Sequence, residues 1–384
     1  MISPIFITCF LLLFVVGGGL SFLGFPFRMA YVSILPFVFL FKKRPAMDSV
    51  SWAFVSLLVI VMLSARINGS SMRDLLLFFR FIIIPFSMYY LVEVTINEQN
   101  WIRILKWCTL LAVVQLPVIL FQKMAYRSLI SSSAIFIAEE DFDFGTFFTA
   151  DDPALAFFMF CMLVTTLFSK QVLKKHKLAL LTILSFTILI ANAKIMHFVL
   201  LIGWSIYLIR NFKLKTFMSL AVSVVFLIGL LHFSGLAANL EKNISDSISK
   251  MQFENITPEA EMRFLEGTYS REVAVIYYLT QPINWFGDGP SRYYDPTSRE
   301  YVVANTGQVF TFYSEIGLVG LILSYLTLLL IAFHVGSLKL SSFLIWFALS
   351  VLTVTTSVMS DASIMLTFVM FLKINKYEDQ LRSR

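Results

Sequence analysis

Residues 305–321 read NTGQVFTFYSEIGLVGL. Amides and hydroxyls open the stretch, Glu315 stands just before Gly317 and Gly320, and the chain then continues as the apolar run ILSYLTLLLIAF. A carboxylate at the centre of a membrane helix costs about 2.5 kcal/mol or more. Glu315 therefore needs a partner or wet surroundings, and the stretch reads as the polar approach to a membrane span.

Apolar runs of spanning length recur along the whole chain. Of its 384 residues 58% are hydrophobic and only 14% charged, against roughly 25% charged in soluble domains. The sequence predicts an all-α, polytopic transmembrane bundle of about twelve spans. They fall at 5–24, 27–41, 50–65, 75–92, 104–121, 153–169, 178–192, 195–209, 216–234, 308–333, 341–358 and 361–373. The organisation is thus 1–234 (nine spans), 235–304 (one large late loop) and 305–384 (three spans and a tail). The first run, FITCFLLLFVVGGGLSFLGF, has no charged n-region and no small-residue cleavage site, so it reads as a span rather than a signal peptide.

Basic clusters orient the bundle. Lys42–Arg44, Lys170–Lys177, Arg210–Lys215 and the tail KINKYEDQLRSR all fall on one side of a twelve-span topology. That side is the cytoplasmic one, and both termini lie on it. A net charge of +6 spread over short loops does not point to nucleic acid. Cys9, Cys108 and Cys161 sit within apolar runs without metal or redox spacing, and none of the four histidines has metal-ligand spacing, so no metal site and no cofactor are expected.

Two outer loops are long. One, 122–152, ends in AEEDFDFGTFFTADDP, where Asp151 and Asp152 precede Pro153 in the pattern of a helix start. The other, 235–304, carries Leu236, Leu240, Ile244, Ile248 and Met251 at helical spacing, the pattern of an amphipathic helix lying on the membrane. Its second half holds the chemistry. Arg271 and Glu272 are followed by the turn Gly287-Asp288-Gly289-Pro290, then Arg292 and Tyr293. Guanidinium forks clamp phosphate oxygens, the glycines let backbone N–H groups approach a ligand, and tyrosines offer flat faces and hydroxyls to sugars. An outer-leaflet substrate with a diphosphate and a glycan would use all three.

The pattern SREVAVIYYLTQPINWFGDGP…NTGQVFTFYSEIGLVGLI resembles the bacterial O-antigen polymerase and O-antigen ligase superfamily (Wzy-type polymerases and their ligase relatives). The resemblance rests on Arg271, the Gly287–Gly289–Pro290 turn and the Glu315–Gly317–Gly320 approach. Two further stretches support it: FGTFFTADDPALAFFM (144–159), and IANAKIMHFVLLIGW (190–204), where Lys194 stands in place of a more usual arginine. It covers roughly residues 140–330. It implies a GT-C-like membrane glycosyltransferase in the bacterial inner membrane, working on the periplasmic side. The substrate it implies is a polyprenyl-diphosphate-linked oligosaccharide. A chain-length regulator and a flippase are the implied partners, and the enzyme would be metal-independent. Ligases carry a histidine nine residues before the glutamate; this chain has Thr306, which favours a polymerase.

Candidate catalytic residues are therefore Arg271, Glu272, Asp288 and Glu315, and candidate substrate-binding residues are Arg292, Lys194, Arg80, Gly287, Gly289 and Tyr293. Each has a plainer alternative. Arg271 could pair with Glu272, Lys194 could snorkel to the interface, and Arg80 could form a structural ion pair with Asp361. Glu315 could fix bundle geometry against Arg80 or Lys194. Gly317 and Gly320 are expected as close-packing positions between helices. A transporter of lipid-linked oligosaccharide is the reading from another class; it predicts related halves and discontinuous spans.

Overall fold

In the computed structural model the described residues are 2–17, 47–132, 144–147, 152–169, 177–191, 194–210, 282–292, 294–295, 300–301, 307–337 and 339–383. The expected spans 27–41 and 216–234, the amphipathic helix after 235, and Arg271, Glu272 and Tyr293 lie outside them. The chain divides into two compact units. The smaller runs through 202–283 and 294–306; its described part includes a short antiparallel ladder, β1 (Tyr294–Asp295) with β2 (Glu300–Tyr301).

The larger unit is a helix bundle. Its helices are α1 (Pro4–Leu11, prolonged by a π-helical turn Leu12–Val16), α2 (Ser49–Ile67), α3 (Met72–Phe78), α4 (Arg80–Thr95) and α5 (Trp101–Ser132). Then follow α6 (Asp152–Phe168), α7 (Lys177–Ile190), the first part of α8 (Lys194–Arg210), α9 (Gln308–Val335), α10 (Leu340–Leu352) and α11 (Ala362–Ser383). Four described segments are long and apolar enough to cross a membrane: Ser49–Ile67, Met72–Thr95, Trp101–Tyr126 and Gln308–Val335. Five shorter apolar helices accompany them.

The centre of the bundle is α6 with α11. Residues Ala154 to Val164 and Ile364 to Leu372 are buried on every face, as expected of helices apolar all round. Phe158 of α6 meets the rings of Phe14, Phe147 and Phe371 at centroid distances of 5.4–5.5 Å.

Polar contacts define two ends. At one, Asp48 caps α2 through the Ser51 N–H (2.7 Å), accepts from the Tyr89 hydroxyl and lies 3.5 Å from His334 Nε2. The same end holds the Lys373–Glu93 pair at 2.7 Å, the Ser169 Oγ–Glu378 bond at 3.0 Å and the Lys339–Asp379 pair at 3.1 Å. At the other end, Ser64 near the end of α2 donates to the Glu315 carbonyl of α9 at 2.9 Å. The two helices are therefore antiparallel.

Three boundaries differ from the sequence reading, each for a polar reason. α5 runs on past residue 121 because Gln122 exchanges two hydrogen bonds with Gly145 (2.8 and 2.9 Å) and Lys123 Nζ donates to the Ile190 carbonyl (3.1 Å). α10 stops at Leu352 rather than 358, because the Thr353 and Thr356 carbonyls accept from the first N–H groups of α9, those of Val309 and Gln308, at 3.2 Å each. α11 continues to Ser383, its polar last turns held by the pairs at Lys373, Glu378 and Asp379.

Candidate functional site

The turn 284–292 docks onto a break in α9. Gly317 has φ +75° and ψ −176° inside the helix. That conformation is left-handed in φ and open to glycine. It separates the N–H groups of Leu318 and Val319 from the carbonyls of Ser314 and Glu315, which an uninterrupted α-helix would join. Buried backbone groups left alone would each cost about 1–3 kcal/mol.

The turn supplies all four partners. The carbonyls of Asn284 and Trp285 accept from Leu318 (2.9 Å) and Val319 (3.3 Å). The N–H groups of Asp288 and Gly289 donate to the carbonyls of Ser314 (2.7 Å) and Glu315 (3.0 Å). The extended backbone of the turn thus replaces one helical turn as hydrogen-bond partner.

Glycines make this approach possible. A Cβ on Gly287 would fall 2.3 Å from the Glu315 carbonyl carbon, and one on Gly317 would fall 2.3 Å from the Trp285 carbonyl carbon. Gly289, at φ +109°, lies against Ser70 and Asn68. Gly317 is therefore a helix break rather than a helix–helix packing position. Gly320 makes room for the Ile316 side chain of its own helix: a Cβ there would meet Ile316 Cδ1 at 2.4 Å.

Glu315 is wholly buried. Its Oε2 accepts from the Ser291 N–H at 2.7 Å. Ser291 has φ +54°, unusual outside glycine, and is itself buried. Left-handed strain of this kind costs about 1–3 kcal/mol, which the hydrogen bond, contributing about 0.5–1.5 kcal/mol, offsets in part. Side chains complete the mount: Asn68 donates to the Gly287 carbonyl (3.0 Å), Asn284 Oδ1 accepts from the Gly287 N–H (2.8 Å), and Asn284 Nδ2 donates to Asp288 Oδ1 (3.0 Å).

Five sequence-picked residues therefore meet here: Gly287, Asp288, Gly289, Arg292 and Glu315. Asp288 and Arg292 are exposed on a backbone pinned from beneath. Glu315 is not turned towards open space; its carboxylate holds the turn. Arg80, the first residue of α4, sits with its guanidinium 5.0 Å from the Phe81 ring centroid, and Phe81 packs on Phe312 of α9 at 5.3 Å. Asp361 Oδ1 accepts from the N–H groups of Ser363 (2.7 Å) and Ile364 (3.0 Å), a capping role. Lys194 is the first residue of α8.

Ser64, Asn68, Asn284 and Ser291 were not picked out from sequence. The only signal for them was polarity beside a span: NGSS at 68–71 follows an apolar helix. A second polar clamp lies at FGTF (144–147). There Gln115 Oε1 accepts from the Thr146 N–H (2.9 Å), and Gly145, at φ +61°, leaves room for that side chain. Among the described residues no three of His, Cys, Asp or Glu gather as metal ligands. Compared with known proteins, the chain matches no family model and no curated protein.

Proposed function

We propose that the protein is a membrane glycosyltransferase that polymerises polysaccharide. It transfers a polyprenyl-diphosphate-linked glycan onto a second lipid-linked repeat unit, at the outer face of the bacterial inner membrane. The observation that carries the proposal is the rigid mounting of an exposed carboxylate and guanidinium, Asp288 and Arg292, on a turn locked into a broken apolar helix.

In this reading an acceptor hydroxyl attacks the anomeric carbon of the donor sugar. The bond from that carbon to the diphosphate oxygen breaks, and the diphosphate leaves on its lipid. Arg271 and Arg292, with Lys194 and Arg80 in support, stabilise the negative charge that develops there. Asp288 takes the hydroxyl proton; its exposure suits it to this better than the enclosed Glu315, and Glu272 is the other carboxylate in reach by sequence. Glu315 keeps the turn in place. Gly287 and Gly289 allow the turn its path, and Tyr293 offers a flat face and a hydroxyl to the sugar.

A transporter reading gains one observation, the discontinuous helix at Gly317, since such breaks carry ligand sites in transporters. Here the turn takes up all four backbone groups freed by the break, which favours the enzyme. A ligase of the same superfamily would differ in its acceptor.

The test is a gel of the surface glycan from cells with and without the gene, with lipid-linked repeats followed in the same extracts. Deletion that leaves only single repeats, on lipid or on the core, supports the polymerase. Full-length polymer stranded on its carrier lipid means a ligase. Single units accumulating on the cytoplasmic face mean a transporter.

A further inference from the structure

The docked turn also carries two aromatic side chains that do not fold inward. Trp285 is 56% exposed and Phe286 is 37% exposed. Their backbone is not free to turn them in. The Trp285 carbonyl is bonded to Val319, the Asn284 carbonyl to Leu318, and Gly287, the residue after Phe286, is pressed against the α9 backbone. Two large apolar rings are thus held outward on one of the more tightly fixed turns in the bundle.

Their surroundings identify what covers them. Below the break, Ile322, Leu326 and Phe333 are exposed and share one face of α9 at helical spacing. This is the pattern of a lipid-facing stripe, and the turn sits at its head, bonded to Val319. Leu318–Val335 spans about 27 Å at about 1.5 Å per residue, close to the hydrocarbon thickness of about 30 Å. The neighbouring α2, 19 residues long, measures about 28 Å by the same rise, and its end meets the turn through Asn68. Two antiparallel helices therefore place the turn at the same depth, the boundary between hydrocarbon and headgroups. Tryptophan is enriched at that boundary, where its ring is buried among lipids and its N–H stays wet. The exposed Arg292 and Asp288 belong to the polar side of the same boundary.

We infer that Trp285 and Phe286 insert into the headgroup layer of the bilayer and set the depth of the Gly287–Arg292 turn, a lipid contact that holds whatever reaction the turn performs. The partner is the lipid surface itself.

The experiment uses the full chain in phosphatidylcholine vesicles whose acyl chains are brominated either near the glycerol or near the chain end. The wild type, with six tryptophans, is compared with Trp285→Phe, and the difference emission reports Trp285. The expected difference emission is blue-shifted, loses most of its intensity with bromine near the glycerol and keeps most of it with bromine at the chain end. A difference emission that lipid bromine leaves untouched and aqueous iodide quenches would overturn the inference; the ring would then face solvent, a sugar or another protein. Trp285→Leu provides a second reading. It keeps apolar bulk, so it should leave the turn's depth unchanged, read as lipid-bromine quenching of a fluorophore attached through Asp288→Cys, whereas Trp285→Asp should reduce that quenching. Equal quenching in both variants would also overturn it.

Discussion

Gly287 and Gly317 face each other's chains at the closest approach in the site: a Cβ on either would lie 2.3 Å from a carbonyl carbon of the opposing strand of backbone. One glycine lets the turn reach the helix, and the other lets the helix open to receive it. Neither half of the contact is useful alone. The break without the turn would leave four backbone groups without partners near hydrocarbon, where each costs several kcal/mol.

Alanine at either position should therefore destabilise the bundle strongly. Gly287→Ala and Gly317→Ala add left-handed strain to direct backbone overlap, and each should cost about 3 kcal/mol or more. Gly69→Ala is the control. Its φ is +63° but nothing lies within 4 Å of the added methyl, so the loss should stay near the strain alone, about 1–2 kcal/mol. Thermal unfolding in detergent compares the three. Equal losses at all three positions would mean the close approach contributes nothing.

Glu315→Gln keeps the shape of the side chain but exchanges one carboxyl oxygen for an NH2 group, a buried donor in need of a partner beside the Ser291 N–H. The expected loss is about 1–3 kcal/mol, with faster proteolysis of the 284–292 turn. Ser291→Gly should recover part of it, because glycine adopts φ +54° without strain. Limited proteolysis of the single and double variants reads this out. A Glu315→Gln turn as resistant as the wild type would show that the carboxylate has some other duty.

Asn68 and Asn284 both bond Gly287, one at its carbonyl and one at its N–H. Each change to alanine should cost about 1 kcal/mol. Because they grip one residue, the double variant should depart from additivity by about 0.5 kcal/mol or more. Strict additivity in unfolding free energies would argue that the two asparagines act independently.

Some residues of the docked turn and the broken helix stood out in the sequence, but the contact between them did not. The glycine-rich turn, the exposed acid and arginine, and the glutamate before Gly317 were legible, because turn chemistry and a charge beside an apolar run are local signals. The break itself was not. Gly317 in a run of apolar residues looks like a packing glycine, and only the opposing backbone, a long way off in sequence, reveals otherwise. Ser64 and Asn68 were hidden for the same reason: their partners, Glu315 and Gly287, belong to a distant stretch. The end of α5 was read short because Gln122 found a tertiary partner in Gly145, and that of α10 was read long because the carbonyls beyond Leu352 meet the first N–H groups of α9. Ten of the twelve expected spans coincide at least in part with described helices, but only four described segments have spanning length and hydropathy.

Acid should weaken the opposite end of the bundle. Burial raises the pKa of Asp48, but the Tyr89 hydroxyl, the Ser51 N–H and hydroxyl, and the charge of His334 together pull it below the ordinary carboxylate value. A group with a depressed folded pKa contributes stability above its unfolded value, about 3.9. That contribution is lost as pH falls through the lower folded value. Asp48→Asn should flatten the fall in melting temperature between about pH 5 and about pH 3. Parallel curves for variant and wild type would remove Asp48 from the account.

The most direct test of the central claim is polymerisation by the purified protein. Lipid-linked single repeats are isolated from cells lacking the gene and added to vesicles containing the full chain, with no nucleotide sugar and with chelator present. Lipid-linked products of two or more repeats are expected, lost on Asp288→Asn or Arg271→Ala while both variants remain folded in the bilayer. Single repeats that stay single with the wild type, or that lengthen equally well with both variants, would contradict it.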